Sequence, residues 1–192
     1  MLVVSSREKS IIRHLCSEMA ATLPTLYPGR KFKRLQRDNG VLITGLEPIA
    51  QLFGALHDGG IVEPSLADDE LSFRVEIRYL TRRIDPTYDY FRITLSGLTS
   101  LSFEAWLDDG TKGPLEAFGV LSVEPEILQA EEKDGAVEIT LHQSQPKTGY
   151  SGGLLKLVAA YAVLKDQSGK LVSLDALWDL SDSYWTEWSQ RS

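Results

Sequence analysis

The chain has 192 residues, 43% of them hydrophobic and 24% charged, and it carries a formal net charge of −7 at pH 7. This is the composition of a globular protein with enough apolar side chains for a hydrophobic core. The single cysteine excludes an intramolecular disulfide, and no apolar run reaches the roughly 18 residues that a membrane span requires. We therefore expect a cytoplasmic protein that contacts no membrane.

The first half of the chain is predicted to contain two helices, a short strand and a β-hairpin. Apolar residues spaced by three and four positions predict an amphipathic helix over residues 5–23 and a second helix over residues 46–60. A short strand is predicted between them, over residues 41–44. Alternating apolar and polar residues predict strands over residues 71–80 and 88–95, which the turn between them would join as a hairpin.

The second half is predicted to contain further strands and one buried helix. Residues 98–107 fit a helix or a strand, and the DDG turn that follows them favours the strand. Residues 116–124 and 135–142 predict two more strands, with an acidic loop between them. Residues 152–165 would be apolar on nearly all sides of a helix, a pattern typical of a helix buried in the core.

These elements predict an α+β fold. We expect a mainly antiparallel sheet of about five or six strands, with N-terminal, middle and C-terminal helices. We also expect one compact domain over residues 1–192. The alternative division is a helical and hairpin module over residues 1–95 followed by a sheet with a buried helix over residues 96–192.

One part of the first half resembles a known family. The stretch LEPIAQLFGALHDGGIVEP, followed by the segments LSFRVEIRYL and YFRITLSG, is similar to the recognition helix and wing of winged-helix proteins, over residues 46–97. The resemblance implies a winged-helix-like N-terminal half. It also implies a module that binds DNA or docks to a protein, since winged helices do both.

The segment TGYSGG, residues 148–153, matches the G-x-S-x-G pattern of serine hydrolases. A nucleophilic serine there needs a strand that runs directly into the turn, and it needs a base. The intervening QSQPKT interrupts the strand, and no histidine follows Ser151, although His142 remains available in another chain order. We predict that Ser151 caps the following helix. Anion binding at the start of that helix, near Lys147, is a minor alternative.

Other patterns for catalysis or metal binding are weak. On a helix, Cys16 and His14 would point in different directions, and one cysteine with three scattered histidines gives no zinc-ligand spacing. Glu131 and Lys133 form an E-x-K pattern with Glu126 upstream, as in metal-dependent nucleases, but we expect this segment to be a solvated loop. The sequence thus predicts no metal, no cofactor and no enzymatic activity.

Basic residues form a candidate surface for nucleic acid or another anion. The segment 29–37 places basic side chains around Phe32 and Leu35, as is common where proteins contact phosphates, and a solvated loop is the alternative. Arginines of the strand over residues 71–80 and of the turn after it would extend this surface. The candidates are Arg30, Lys31, Lys33, Arg34, Arg37, Arg74, Arg78, Arg82 and Arg83.

The C-terminal tail combines acidic with aromatic residues. On a helix its tryptophans would share one stripe, which predicts packing against the core. The alternative is a docking surface, since Trp and Tyr dominate the hot spots of protein interfaces. The candidates for protein interaction are Trp178, Tyr184, Trp185 and Trp188.

The uneven distribution of charge guides the functional prediction. Residues 1–95 carry 13 Lys and Arg against 12 Asp and Glu, whereas residues 96–192 carry 7 against 15. The basic residues of the first half are mostly arginines, whose planar guanidinium suits phosphate or carboxylate recognition. We predict a non-catalytic binding protein, an accessory or adaptor subunit of a larger assembly. Its Arg-rich first half would contact nucleic acid or an acidic partner, and its acidic, Trp-rich second half would contact protein.

Two alternatives to this function stay open. The first is an acidic inhibitor or immunity-type protein that neutralises a basic enzyme or nuclease through Asp and Glu with aromatic anchors. The second is a serine hydrolase that uses Ser151. The first alternative requires the tail for binding, whereas the second requires a reactive hydroxyl.

Overall fold

The computed structural model describes residues 42–143 and 149–190. The expected helix over residues 5–23 lies outside these ranges, as do Cys16 and Lys147. The same holds for the basic candidates Arg30, Lys31, Lys33, Arg34 and Arg37.

Within these ranges, ten strands form one antiparallel sheet, in the order β1-β10-β4-β3-β2-β7-β8-β9-β5-β6. The strands are β1 (Ile43–Thr44), β2 (Gly60–Ala67), β3 (Glu70–Glu76), β4 (Tyr90–Ser96), β5 (Ser100–Leu107), β6 (Lys112–Leu115), β7 (Glu126–Lys133), β8 (Ala136–His142), β9 (Tyr150–Val158) and β10 (Tyr161–Lys165). The prediction of an α+β fold with five or six strands is therefore wrong. Strands are the commonest secondary structure of the described chain, and all ten belong to a single large sheet.

Four helices accompany the sheet within the described ranges. They are α1 (Leu46–Ala55), α2 (Arg78–Thr81), α3 (Ala117–Leu121) and α4 (Leu174–Ser189). None of the helices in this part of the chain has the length and apolar character to cross a membrane.

The sheet bends where two strand pairs meet. Strand β4 continues through the bend into β5, and β9 continues into β10. Because β4 pairs with β10 and β5 pairs with β9, the four strands form one bent two-stranded ribbon within the sheet. At the bend, the N–H of Thr99 donates to the carbonyl of Val158, and the N–H of Ala160 donates to that of Ser96, both at 2.9 Å. Gly97 has a φ of 66°, and a Cβ there would lie only 2.7 Å from the Cβ of Ala160. The close approach at the bend therefore requires glycine.

Helix α1 supplies a large part of the hydrophobic core. Its side chains Ile49, Leu52 and Phe53 are fully buried, and the ring of Phe53 packs 6.1 Å from that of Phe73 on β3. Each such side chain contributes about 2 kcal/mol through burial. The predicted second helix is thus confirmed, and it ends at Ala55.

The winged-helix-like arrangement expected for residues 46–97 is not present. A recognition helix needs an exposed face for its target, whereas Glu47 is the only residue of α1 in the exposed class. The hairpin that follows is β2–β3, and it lies inside the ten-stranded sheet rather than projecting as a wing.

The predicted core helix over residues 152–165 is also wrong, because this segment forms β9 and β10. Along β9, buried Leu155 and Leu157 alternate with the less buried Leu154 and Lys156, which is the period of a strand. Apolar residues occupy both faces, so the alternation is hidden in the sequence. Ser151 consequently lies in a strand and caps no helix.

Three further segments differ from expectation, each for a local reason. Residues 116–124 contain α3, because the carboxylate of Glu116 accepts hydrogen bonds from the first free N–H groups of that helix. The expected acidic loop forms β7, whose pattern is obscured by a register shift between Ile127 and Gln129. The strand predicted over residues 71–80 ends at Glu76, and its last residues belong to α2.

The other predicted elements agree with the structure. Residues 98–107 contain strand β5, and residues 135–142 contain β8. The predicted strands over residues 71–80 and 88–95 correspond to β3 and β4, which pair in antiparallel fashion. The short strand β1 lies within the predicted residues 41–44.

Candidate protein-docking surface

The described arginines of the basic surface form ion pairs with carboxylates of the same chain. On β3, the guanidinium of Arg74 contacts Glu63 at 2.6 Å and lies 4.6 Å from the centre of the Tyr90 ring. Arg78 and Arg82 share one carboxylate oxygen of Asp89, at 3.1 and 3.0 Å.

Arg83 is held in the same way. It forms a two-pronged contact with Glu187 of α4, at 2.9 and 2.7 Å, and a hydrogen bond to Ser183. The contact with Glu187 raises the pKa of Arg83 further. Phosphate binding by the four described arginines stays a prediction, and a phosphate would have to compete with these carboxylates.

The described part of the chain is strongly acidic. It contains 24 Asp and Glu against 10 Lys and Arg, a net charge of −14, whereas the rest of the sequence carries 3 against 10. Among the described residues, seven of the ten basic side chains form ion pairs with carboxylates. They are Arg74, Arg78, Arg82, Arg83, Lys112, Lys133 and Lys156. The surface field of this part of the protein is therefore negative.

Helix α4 is fixed to the body along one stripe, as predicted for the tail. The hydroxyl of Ser173 caps its first turn by accepting from the N–H of Ala176 at 3.2 Å. Leu177 and Ser181 are buried, and Trp178 and Trp185 are partly buried. The opposite face is exposed and acidic, with carboxylates at Asp175, Asp179 and Asp182.

The last turns of α4 join an aromatic cluster, defined here as His57, Tyr79, Tyr184, Trp185 and Trp188. Trp185 is its centre. The Trp185 ring stacks on His57 at 5.2 Å and meets Tyr184 at 5.0 Å, Trp188 at 5.9 Å and Tyr79 at 6.0 Å. Trp188 is 45% exposed, so the cluster reaches the surface. Three of the four predicted protein-interaction residues thus lie together, and Trp178 lies earlier on the same helix.

Polar contacts hold the buried side of this cluster. The hydroxyl of Tyr79 donates to the carbonyl of His57 at 2.7 Å, and Nδ1 of His57 lies 3.0 Å from the carbonyl of Gly54, which fits an N–H donor. Burial, followed by the charge of Asp58, raises the pKa of Tyr79 well above its usual value. Tyr79 therefore acts as a neutral hydrogen-bond donor at neutral pH.

Two carboxylates border the aromatic cluster without a lysine or arginine partner among the described residues. The N–H of Asp58 donates to the carbonyl of Ile127 at 2.7 Å, and this contact places Asp58 beside Glu126 at the start of β7. Burial and the charge of Asp58 raise the pKa of Glu126, an effect partly offset by His142. Within the described residues, neither carboxylate forms an ion pair with Lys or Arg, and Nε2 of His57 lies 3.9 Å from the carboxylate of Asp58.

One further polar group of the cluster lacks a partner. The Nε1–H of Trp185 is buried and meets no hydrogen-bond acceptor in the described ranges. Such groups are uncommon in folded proteins, because a buried donor that loses water without gaining an acceptor costs stability. The cluster thus combines exposed aromatic surface, unmatched negative charge and an unsatisfied donor.

Among the described residues, the candidate metal, nuclease and serine sites lack the arrangement of side chains that their chemistry requires. Between residues 42 and 190, outside the gap at 144–148, no group of His, Cys, Asp and Glu is arranged to hold a metal ion. The E-x-K pattern lies on β7 rather than in a loop, yet Lys133 forms an ion pair with Glu138 at 3.6 Å. Ser151 lies at a register shift between β5 and β9, and no hydrogen bond joins its hydroxyl to His142. The strand–turn–helix of a nucleophile elbow is not formed there.

A shallow depression lies beside α3. It has a volume of about 320 Å³ and is lined mainly by apolar groups of α3 and of the residues around it, including Leu115, Val120 and Tyr150. Burial raises the pKa of Tyr150, and the contact with Gln143 partly offsets this. The depression contains no converging set of charged groups, so it suggests no reaction.

The sequence patterns predict no protein-interaction role for four residues of the cluster and its border: His57, Asp58, Tyr79 and Glu126. They come from three separate segments, and the pairing of Gly60 with Glu126 brings two of these segments together. The local signal at Asp58 is weak, since an acidic residue before two glycines usually marks only a turn.

Comparison of the chain with known protein families, with curated proteins and with solved structures found no match.

Proposed function

We propose that the protein is a non-catalytic binding protein, an accessory subunit of a larger assembly, which docks to a protein partner through its acidic body. The observation that supports this is the net charge of −14 on the described residues, where most basic side chains are already paired. We place this function in the cytoplasm, because the single cysteine fits a reducing compartment.

The charge also specifies the partner's chemistry. A surface of one sign attracts a surface of the opposite sign, increases the rate of association and rejects partners of like charge. The partner's contact surface is therefore basic. Any contact with nucleic acid or with an acidic partner rests on the segment 29–37, which lies outside the described residues.

Capture of the partner tests this function. The tagged full-length chain is incubated with an extract of its native host at about 50 mM and at about 500 mM salt, and bound proteins are identified by mass spectrometry. We expect a partner with a basic surface that is retained at low salt and released at high salt. Retention that does not depend on salt, or capture of acidic proteins alone, would contradict the proposal.

A second candidate function is an acidic inhibitor that neutralises a basic enzyme or nuclease. It is favoured by the two unmatched carboxylates, Asp58 and Glu126, beside an exposed aromatic cluster, because inhibitors often insert charge and aromatic anchors into a partner's site. The purified pair distinguishes the two functions. An inhibitor abolishes the partner's activity at a one-to-one ratio, whereas an accessory subunit leaves that activity intact.

A further inference from the structure

The sheet opens between β2 and β7. These two strands pair only where Gly60 faces Glu126, and beside this pair the N–H of Ile127 donates to the carbonyl of Gly59 at 2.9 Å. Beyond that point β7 pairs only with β8, and β2 pairs only with β3. Within the described ranges, residues 129–133 therefore form a free strand edge, which we call the β7 edge.

The β7 edge directs backbone groups outward at two positions. Ile127, Ala130 and Glu132 are paired with every second residue of β8, so the alternation of an antiparallel ladder turns their N–H and C=O groups the same way. At Ile127 both groups point away from β8, since they bond to Gly59 and Asp58. The same groups of Ala130 and Glu132 therefore also point away from β8, where no strand of the described chain pairs with them. Such a row of groups is a template for one more strand.

The other exposed strand edges of the described sheet are blunted. Strand β6 contains Pro114, which has no N–H to donate, and β1 is only 2 residues long. Strand β2 contains Pro64 and a register shift around it. These features hinder pairing with a further strand. The β7 edge contains neither a proline nor a register shift, so it is open to pairing.

Negative charge on the β7 edge specifies what can pair with it. Glu131 and Glu132 are exposed, and because they are successive residues of a strand, their side chains lie on opposite faces of the sheet. Lys133, at the end of the edge, forms an ion pair with Glu138 at 3.6 Å. A second copy of this edge would place carboxylates against carboxylates, which is unfavourable, whereas a strand with basic side chains would be attracted on both faces.

We infer that the β7 edge accepts an extended segment of the partner protein, rich in lysine or arginine, as an additional strand of the sheet. The backbone of this segment exchanges hydrogen bonds with Ala130 and Glu132, and its basic side chains contact Glu131 and Glu132. This inference rests on the proposed function, and it adds the location of the contact and the extended conformation of the bound segment.

The first experiment measures binding of short peptides to the full-length chain by calorimetry at low salt. One peptide alternates lysine with threonine, and the matched peptide has the same sequence with N-methyl groups on its central residues. N-methylation removes backbone donors and keeps the charge, so it should weaken binding by about 10-fold or more. Equal affinity for the two peptides, or no binding of the unmodified one, would overturn the inference.

A substitution at Ala130 tests the backbone of the chain itself. Ala130→Pro removes the outward N–H but leaves every charge and the ladder bonds to β8 in place, and a strand edge tolerates proline. It should weaken binding of the unmodified peptide by about 3- to 10-fold, whereas the control Ala130→Val keeps the N–H and should bind within about 2-fold of the parent chain. Thermal unfolding confirms the fold of each variant. Equal binding by the two folded variants would reject pairing through the backbone.

A second pair of variants separates direct contact from long-range attraction. Glu132→Gln removes one charge from the β7 edge, and Asp179→Asn removes one from the exposed face of α4. We expect Glu132→Gln to weaken binding of the unmodified peptide by about 3-fold and Asp179→Asn to weaken it less. Equal losses would show that only net charge matters, and the site would be rejected.

Sedimentation of the chain alone tests the competing occupant, a second copy. We expect no self-association through this edge, because its charges repel. Self-association that Ala130→Pro abolishes would assign the β7 edge to a second copy and contradict the inference.

Partner capture with the Ala130→Pro variant separates this inference from the proposed function. We expect the variant to capture less of the basic partner than the parent chain does. Undiminished, salt-sensitive capture would retain the binding function and remove the site, whereas absence of any basic partner with the unaltered chain would remove the function itself.

Discussion

Glu126 and Glu138 belong to the same pair of strands, β7 and β8, but their electrostatic surroundings are opposite. Glu138 is only 4% exposed, and it forms ion pairs with Lys156 at 2.6 Å and with Lys133 at 3.6 Å. The hydrogen bond from Lys156 and the nearby ammonium charges hold the pKa of Glu138 below its ordinary value. At Glu126, burial and the charge of Asp58 raise the pKa instead.

This difference separates two roles for a carboxylate in one sheet. At Glu138 the charge is matched by the fold, so it stabilises the folded chain and is unavailable to a partner. At Glu126 the charge is unmatched and costs stability. Unfavourable arrangements of this kind concentrate at binding and catalytic sites, because function rather than folding uses them.

The largest effect is expected from a change that displaces the strand on which Lys156 lies. Strand β9 runs between β5 and β8, and a Cβ on Gly153 would meet the carbonyl oxygen of Glu104 and lie 2.5 Å from the ring of Phe103. Gly153→Ala should lower the free energy of unfolding by about 3 kcal/mol or more, because β9 has to move away from β5. Urea denaturation followed by circular dichroism measures the loss.

The matched control is Gly54→Ala in α1. A Cβ at Gly54 meets nothing within 4 Å, and alanine favours the helical backbone, so this variant should gain up to about 1 kcal/mol. Equal stability of the two alanine variants would mean that β9 does not pack so closely on its neighbours.

Removal of the matched carboxylate should have the next largest effect. Glu138→Ala leaves Lys133 and Lys156 without their counter-ion, and we expect a loss of about 1–2 kcal/mol at neutral pH, since both lysines are partly exposed and can hydrate. Chemical denaturation of the variant and the parent chain measures it. The control Glu131→Ala removes the exposed like charge opposite Glu138 in the ladder, so it should leave stability unchanged or slightly increase it.

The effect of Glu138 should depend on pH in a defined direction. Its pKa in the folded chain lies below its ordinary value of 4.5. Its stabilisation is therefore complete above that ordinary value and is lost as the pH falls through the folded pKa. The stability difference between Glu138→Ala and the parent chain should shrink in acid, and a difference that grows in acid would contradict the assignment.

Sequence patterns predict the elements of this fold that have one buried face. The helix α1, the paired strands β3 and β4, and the helix α4 all show a clear period. Sequence patterns do not predict the strands whose two faces carry similar side chains. Residues 152–165 are apolar on both faces, and β7 is acidic on both faces with a shift in register, so neither shows the alternation of a strand.

The docking surface is predictable only in part, for a related reason. Residue type alone indicates Tyr184, Trp185 and Trp188, because exposed aromatic residues are common in interfaces. The carboxylates that complete the surface depend on long-range pairing between β2 and β7. Asp58 and Glu126 are far apart in the chain, and no local pattern specifies that they meet.

Removing the charge of Glu126 should change stability less than removing that of Glu138, and in the opposite direction. Glu126→Gln removes a partly buried charge that Asp58 repels, so it should slightly increase stability at neutral pH. Because the folded pKa of Glu126 is raised, the penalty is present above the folded pKa and disappears below the unfolded value of about 4.5. Chemical denaturation of the variant and the parent chain at neutral pH measures the gain in stability, and denaturation at acid pH tests whether the gain disappears. A loss of stability at neutral pH would mean that Glu126 has a cationic partner.

The smallest effect on stability is expected from a change at Ser151, which takes no part in the contrast between Glu126 and Glu138. Its side chain is exposed, it lies in β9 and no helix follows it, so Ser151→Ala should change the free energy of unfolding by less than about 0.5 kcal/mol. A reactive serine needs a base and a strained turn, and the described residues form neither around this hydroxyl. We therefore expect no labelling of the full-length chain by a fluorophosphonate. Labelling that disappears in Ser151→Ala would establish the hydrolase alternative and displace the binding function argued from charge.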